Sequence, residues 1–265
     1  KDWSYYVSGN FSWLKNWVSN IGVRDANGKP GVWTGDGSFR NLPYCYQDAE
    51  GQPLGSFYLI KNGGIFQSDA EAAAYVDKDG NRIQPNAKAG DLKFIDYNKD
   101  GKITDADRQY CGSATPKYTF SFSAGFTWKD LTFSAMLQGV AGAKAMNVAK
   151  FMTLSDVEGN FNRDSDIPRL SKNDPNGNFS TPSDWYLENA SYLRLKNVTV
   201  SYDLTNLLRK SAHLNSRNSR LSVYVSGENL CTITNYTGID PECGGWDAMK
   251  YPLARTFSFG VKLTY

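Results

Sequence analysis

The residues with the clearest binding chemistry form one acidic segment, DYNKDGKITDAD, which runs from Asp96 to Asp107. Side chains with oxygen ligands stand at alternate positions, followed by a glycine for a sharp turn and a carboxylate at the end, as in loops that bind calcium. The predicted ligands are Asp96, Asn98, Asp100, the backbone carbonyl of Lys102, and Asp107. Because carboxylates placed this close repel one another without a cation, the spacing predicts a structural Ca²⁺ that stiffens the loop.

Two features of this segment leave an alternative open. An EF-hand is not expected, because the preceding residues DLKFI are typical of a strand and not of a helix. Asp107 is shorter than the glutamate that usually ends a calcium loop, which predicts weaker binding. The segment also fits a solvated turn rich in Asp and Asn that needs no metal.

The residue types needed for catalysis are scarce. His213 is the only histidine, so a Ser-His-Asp triad is not expected. The acidic residues Asp166, Asp174 and Asp184 lie in a hydrophilic stretch, where a carboxylate needs no catalytic role. No glycine-rich nucleotide motif is present. We therefore predict that the chain is not an enzyme.

Composition excludes several classes of partner. The 265 residues include 29 basic and 27 acidic side chains, so no overall basic field would attract nucleic acid. No apolar run approaches the roughly 18 residues of a membrane helix. The first residues, KDWSYYVSGNFS, alternate like a strand and do not resemble a signal peptide.

The four cysteines, Cys45, Cys111, Cys231 and Cys243, lack the spacing of a zinc site. A disulfide between Cys231 and Cys243 would close the shortest loop, and free cysteines that pack as small apolar residues are the alternative.

The elements that would position the acidic segment are strands. The last residues, RTFSFGVKLTY, alternate apolar and polar side chains over about the length of a tilted membrane strand. Similar alternation predicts strands over 3–13, 118–128, 131–137, 192–204 and 221–228, with a tight turn at Lys129 and Asp130. A change of phase between Leu195 and Val198 predicts a bulge near Asn197.

The connections between these strands alternate between long and short. Residues 14–116, 140–191 and 231–254 are long, and the connections between them are short or moderate. Outer-membrane barrels place long loops outside the cell and short turns in the periplasm, so the three long segments are predicted to be extracellular. The predicted fold class is all-β: an antiparallel transmembrane β-barrel segment, whose edge strands must pair with further strands.

Four ordered motifs resemble one family. GDLKFIDYNKDGKITDADRQYCGSATPKYTFSFSAGFTWKDLTFSAMLQGV, WYLENASYLRLKNVTVSYDL, LSVYVSGENLCTITNYTGIDPE and YPLARTFSFGVKLTY are similar to the C-terminal part of SusC/RagA-type TonB-dependent outer-membrane transporters. The resemblance implies a barrel of about 22 strands with a plug that this chain does not contain. It also implies import of glycans or peptides with energy from TonB, a SusD-like surface lipoprotein as a lid, and an integral outer-membrane location.

The resemblance leaves the substrate and its contacts open. Trp33, Trp185, Trp246 and Tyr251 in the long segments could stack on a sugar or peptide, or could pack within the loops. Tyr6, Tyr224 and Glu228 on the polar faces of strands are further candidates. A passive structural barrel and a secreted calcium-dependent adhesion module of the dockerin type are the alternative functions.

Overall fold

The computed structural model describes residues 2–24, 31–33, 45–150, 167–170, 173–212 and 220–264. Its helices are α1 (Asp69–Ala74) and α2 (Thr205–Ala212), with short 3-10 turns at Asp105–Asp107 and Asp184–Tyr186. In chain order, the strands are β1 (Trp3–Trp13), β2 (Gly31–Trp33), β3 (Tyr46–Ala49), β4 (Ser56–Ile60), β5 (Asn62–Ile65), β6 (Leu92–Phe94), β7 (Arg108–Ser113), β8 (Tyr118–Trp128), β9 (Leu131–Ala141), β10 (Lys144–Asn147), β11 (Leu187–Asn189), β12 (Tyr192–Asp203), β13 (Arg220–Thr234), β14 (Trp246–Asp247) and β15 (Thr256–Thr264).

The largest element is a six-stranded sheet with the order β1-β8-β9-β12-β13-β15, in which every neighbouring pair is antiparallel. All six predicted strands are confirmed. β13 is longer than predicted, because its pairing with β12 continues past Cys231 to Thr234. The tight turn is confirmed as well, and Lys129 in it adopts a positive φ of 55°.

The predicted bulge in β12 is also confirmed. The pairing of β12 with both neighbours shifts between Leu195 and Asn197. Because side chains alternate along a strand, the extra residue Lys196 keeps Leu193 and Leu195 on the same face as Val198. The bulge therefore places the apolar residues before and after it on one face of the sheet, although their spacing in the sequence changes.

The two ends of the sheet differ in their connections. One end carries the turn at Lys129 and Asp130 together with α2, and we call it the turn end. The three long segments leave and re-enter the sheet at the opposite end, which we call the loop end. The predicted alternation of long and short connections therefore places every long segment on one side.

The described parts of the long segments contain more regular structure than their hydrophilic composition suggests. They contain a four-stranded sheet β2-β3-β4-β7, a three-stranded sheet β11-β10-β14 and the pair β5-β6. Together these sheets and their connections form what we call the loop layer. No helix in the described ranges is long and apolar enough to cross a membrane.

Candidate functional site

One face of the six-stranded sheet is apolar from edge to edge. The strand register aligns Val225 with Phe259, and Phe126 with Phe133, whose rings stack with centroids 5.5 Å apart. At the outer strand β15, Phe259 and Val261 are 88% and 69% exposed. Such a continuous exposed apolar surface needs an apolar surrounding, which lipid supplies to a barrel wall.

Aromatic side chains lie near both ends of the apolar face. Trp3 and Trp128 pack together at the turn end, with ring centroids 6.1 Å apart. Phe11 and Tyr118 stack near the loop end at 6.0 Å. Aromatic residues at these two levels are typical of the two interfaces of a membrane barrel.

The opposite face of the sheet is polar and carries the three candidate residues Tyr6, Tyr224 and Glu228. The register places Tyr6 opposite Gly125, and Tyr224 opposite Gly260. Each tyrosine ring lies over its glycine, since a Cβ atom built on either glycine would come within 2.6 Å of the ring. The absence of a side chain on these glycines is therefore what allows both rings to lie against the sheet.

A shared hydrophobic core holds the loop layer together. Cys45, Phe57 and Leu59 come from the first long segment, and Met146, Val148, Leu170, Phe179 and Tyr186 come from the second. Trp246 of the third segment packs against them. Because all three segments contribute to one core, they are positioned relative to one another by packing and not only by the sheet.

A buried polar network connects the first two segments. The Asp91 carboxylate is fully buried and accepts from the Arg169 guanidinium at 2.8 Å. The Asn178 amide donates to the other oxygen of Asp91 at 2.8 Å, and the Asn178 oxygen accepts from the backbone N–H of Leu92 at 3.0 Å. Loss of one of these partners would leave a buried charge or polar group uncompensated, which is strongly destabilising.

In the acidic segment, the predicted sharp turn is present. Gly101 has a φ of 85°, and its N–H donates to Asp96 Oδ2 at 2.8 Å. The other oxygen, Asp96 Oδ1, is buried and has no hydrogen-bond partner. A buried, unpaired carboxylate oxygen is costly, and a cation would satisfy it.

The remaining predicted ligands form hydrogen bonds within the loop. Asn98 Oδ1 accepts from the Asp100 N–H at 3.0 Å, and Asp100 Oδ1 accepts from the Lys102 N–H at 2.9 Å. Asp107 is fully buried, and its two oxygens accept from the N–H groups of Tyr97 and Thr104. In the described part of the chain, no three acidic, histidine or cysteine side chains are grouped as a metal cluster.

Asp107 therefore has a structural role that the calcium pattern did not reveal. Together with Thr104 it forms a capping box around the 3-10 turn that follows the loop. The spacing of Thr104 and Asp107 carries this signal in the sequence. A second neighbour that the pattern missed is Asp77, whose carboxylate lies against Gly101, with Oδ2 2.8 Å from a Cβ atom built there.

The other sequence candidates have structural contacts or lie outside the described ranges. His213 and Asp166 are outside them. Asp174 accepts from the N–H groups of Phe179 and Ser180. Asp184 Oδ1 accepts from the backbone and side-chain amides of Asn62. Both aspartates thus hold nearby backbone or amide groups, although Asp174 Oδ1 is buried and has no hydrogen-bond partner.

The aromatic candidates separate into packed and exposed residues. Trp185 packs against Phe179 and Tyr186, and Trp246 lies against the core of the loop layer. Tyr251 is 91% exposed and is free to contact a ligand or partner. The side chain of Trp33 is outside the described part.

All four cysteines are free thiols, so the disulfide considered between Cys231 and Cys243 is not formed. Cys45 and Cys243 are buried, as expected of cysteines that pack as small apolar residues. Burial raises the pKa of the Cys45 thiol to about 12, which keeps it protonated.

Comparison with curated proteins finds TonB-dependent receptors. The chain is 28% identical over 241 residues to TonB-dependent receptor P3 of Formosa agariphila, a match that covers 82% of the chain and 22% of the relative. It is 25% identical over 278 residues to TonB-dependent receptor SusC of Bacteroides thetaiotaomicron, covering 100% of the chain and 25% of SusC. The chain thus spans about a quarter of the length of these relatives. No family model matches the chain.

Comparison with solved structures gives the same fold. The chain superposes on a structure of the RagAB peptide importer in its open-open state with a TM-score of 0.72 and 23% identity, covering 100% of the chain and 27% of the importer chain. A second RagAB peptide transporter structure gives a TM-score of 0.69 and 25% identity, covering 99% of the chain and 27% of that transporter chain.

The sheet, with one lipid-compatible face and one polar face, has the fold of a segment of the barrels of TonB-dependent transporters. Within that class, the resemblance to the SusC/RagA type is confirmed by the curated relatives and by the fold. These relatives are transporters and receptors, which agrees with the expectation that the chain is not an enzyme.

Proposed function

We propose that these residues form part of the wall and the external loops of an outer-membrane, TonB-dependent nutrient importer that takes up glycans or peptides. The remaining strands and the plug of the same transporter would complete the barrel, and a SusD-like surface lipoprotein would cover the loop layer. The observation that carries the proposal is the continuous apolar face of the six-stranded sheet, with all three long segments at one end.

The relatives support the importer role over a passive barrel. Both the SusC and the RagAB likenesses extend over nearly the whole chain, including the long segments. A role for the loop layer in holding a ligand or a lid fits its shared core, because a common core gives the three segments one defined outer surface. Tyr251 on that surface is the most exposed aromatic candidate.

The importer role is tested by measuring uptake of labelled oligosaccharides and labelled peptides in cells with and without the gene. We expect uptake of one substrate class to require the gene, to stop when a protonophore removes the energy source, and to stop when TonB is deleted. Uptake that needs the gene but resists the protonophore would instead identify a passive barrel. Release of the protein from membranes without detergent would identify a soluble adhesion module.

We also propose that the loop from Asp96 to Asp107 binds a structural Ca²⁺. The support is the buried, unpaired Asp96 Oδ1 beside the turn at Gly101. Asn98, Asp100 and the Lys102 carbonyl provide further oxygens, and Asp107 would have to exchange a backbone hydrogen bond for the ion. Calcium prefers such oxygen ligands in flexible geometry.

Limited trypsin digestion tests the calcium proposal, because Lys99 and Lys102 are cleavage sites within the loop. We expect Ca²⁺ to slow cleavage there and EGTA to restore it. Asp96→Asn should remove the protection, whereas Asp79→Asn, an exposed aspartate outside the loop, should keep it. Equal cleavage of the unaltered protein with and without Ca²⁺ would identify a metal-free turn.

A further inference from the structure

A cavity of about 1040 Å³ lies between the loop layer and the loop end of the sheet. Residues from β1, β7, β10 and β11, and the segments next to them, line its wall. Its size is that of a site for a sizeable ligand group.

The charge of this cavity is strongly unbalanced. Four lysines line it, Lys15, Lys61, Lys117 and Lys144, together with the single carboxylate of Asp184. The Asp184 oxygen Oδ1 is occupied by Asn62, whose two amide groups donate to it. Among the described residues, none of the four lysines forms an ion pair.

Two of these lysines, Lys61 and Lys144, are half-buried. The side chain of Lys144 lies across Gly112, with Cγ 2.9 Å from a Cβ atom built on that glycine. Lys61 and Lys144 both lie near the Cys111 thiol. Burial and the nearby Asp184 carboxylate raise the pKa of that thiol to about 11, and the two ammonium charges act on it in the lowering direction. Two ammonium groups and one carboxylate, that of Asp184, therefore share this part of the wall, which keeps a net positive charge.

The other two lysines stand at the exposed rim, next to aromatic residues. The Lys117 side chain lies across Gly142, and the Lys15 ammonium lies 5.7 Å from the centre of the Trp17 ring. Trp13 and Tyr118, at the loop end of the apolar face, also line the cavity. The cavity is thus cationic within and aromatic where it meets the apolar face.

We propose that this cavity binds a phosphate-type anionic group, carried either by a lipid headgroup or by a soluble ligand. Unpaired, half-buried ammonium groups gain most from an anion, because they have lost part of their hydration without gaining a carboxylate partner. Lysine is a common ligand of phosphate groups, which it binds as a point charge. This anion site is separate from the nutrient that the proposed importer would take up.

The test uses the protein purified in detergent, with two probes. Binding of inorganic pyrophosphate is measured by calorimetry, and binding of phosphatidylglycerol, compared with phosphatidylcholine, by native mass spectrometry. We expect at least one anionic probe to bind. Lys61→Gln/Lys144→Gln should weaken that binding by about tenfold or more, since two charge-assisted contacts are lost.

The matched control is Lys78→Gln/Lys93→Gln, which removes the same charge outside the cavity and should bind like the unaltered protein. Folding of each variant is checked by comparing its migration on gels with and without heating, because a folded barrel migrates differently from the unfolded chain. If Lys61→Gln/Lys144→Gln does not fold, the rim variant Lys15→Gln/Lys117→Gln is tested in its place. Pyrophosphate binding identifies a soluble ligand, and selective phosphatidylglycerol binding alone identifies a lipid headgroup. Binding of neither probe, or equal loss in the control, would overturn the proposal.

Discussion

Arg194 of β12 holds the Asp240 carboxylate, with 2.7 Å between Nη2 and Oδ1. The Arg194 side chain is only 3% exposed, although it lies on the polar face of the sheet near the loop end. Its Nη1 also contacts Glu242 at 2.7 Å, and its Nε donates to Thr232. Arg194 therefore ties the third long segment to the sheet at two carboxylates.

Arg194→Met should loosen this segment while leaving the sheet assembled. Loss of charge-assisted hydrogen bonds of this kind costs about 2–3 kcal/mol. We expect faster trypsin cleavage after Lys250, which lies in the same segment. Arg220→Met, which removes an exposed cation from β13, should not change that rate.

The attachment of the third segment should weaken in acid. Burial alone would raise the pKa of Asp240, but hydrogen bonds from the Glu242 N–H and from Arg194 outweigh it, so the pKa is lowered. An aspartate whose pKa is lowered in the folded state adds stability to the fold. This stability is complete above the pKa of the unfolded state, about 4, and is lost as the pH falls through the pKa of the folded state.

We therefore expect proteolysis of this segment, followed with an acid-active protease such as pepsin, to increase below about pH 4. The acid dependence should be smaller in Asp240→Asn, which has no carboxyl group to titrate at this position. A profile in the variant identical to that of the unaltered protein would show that another group controls the transition.

The two faces of the sheet should respond in opposite ways to a new charge. Val225 lies on the apolar face opposite Phe259, and Ser226 lies on the polar face opposite Ser258. Val225→Arg should cost about 2–4 kcal/mol if it faces the middle of the bilayer, whereas Ser226→Arg should be tolerated. Urea unfolding of the protein in lipid vesicles measures both, and equal costs would contradict the assignment of the faces.

The contact between Tyr224 and Gly260 predicts a specific coupling. The three atoms nearest to a Cβ atom built at Gly260 all belong to the Tyr224 side chain, with Cε1 and Cζ at 2.6 Å. Gly260→Ala should therefore cost about 1–3 kcal/mol in the unaltered protein and close to nothing in a Tyr224→Ala background. Urea unfolding of the four proteins of this double-mutant cycle measures the coupling.

Gly125, opposite Tyr6, provides the contrasting case. A Cβ atom there would also come within 2.7 Å of the Phe133 carbonyl oxygen, which is backbone and cannot swing away. Tyr6→Ala should therefore fail to rescue Gly125→Ala. Full rescue at both positions would show that the tyrosine ring alone sets the cost at each glycine.

The sequence was sufficient to predict the barrel wall and insufficient to predict the loop layer. Each wall strand has a lipid face and a polar face, so its pattern alternates strictly, and even the bulge beside Asn197 leaves a visible change of phase. The loop layer has short strands such as β10 and β11, whose apolar residues are scattered among polar ones. Their core forms only through contacts between distant segments, which local periodicity does not record.

The acidic segment shows the same limit at a smaller scale. Its composition predicts the turn at Gly101, because the ligand spacing and the sharp bend follow from local sequence. The capping role of Asp107 and the approach of Asp77 depend on how the loop folds back on its surroundings. The spacing of oxygen-bearing side chains therefore predicts where a cation could bind, but it does not show which of those oxygens accept hydrogen bonds within the protein.

The shared core of the loop layer limits how such proteins can be recombined. Cys45, Met146 and Trp246 come from three different segments and meet in one packed cluster. A graft that replaced a single segment with that of a relative would bring in side chains shaped for a different set of neighbours. A graft meant to transfer the outer surface of one such protein to another would then have to include all three segments, although they lie far apart in the gene.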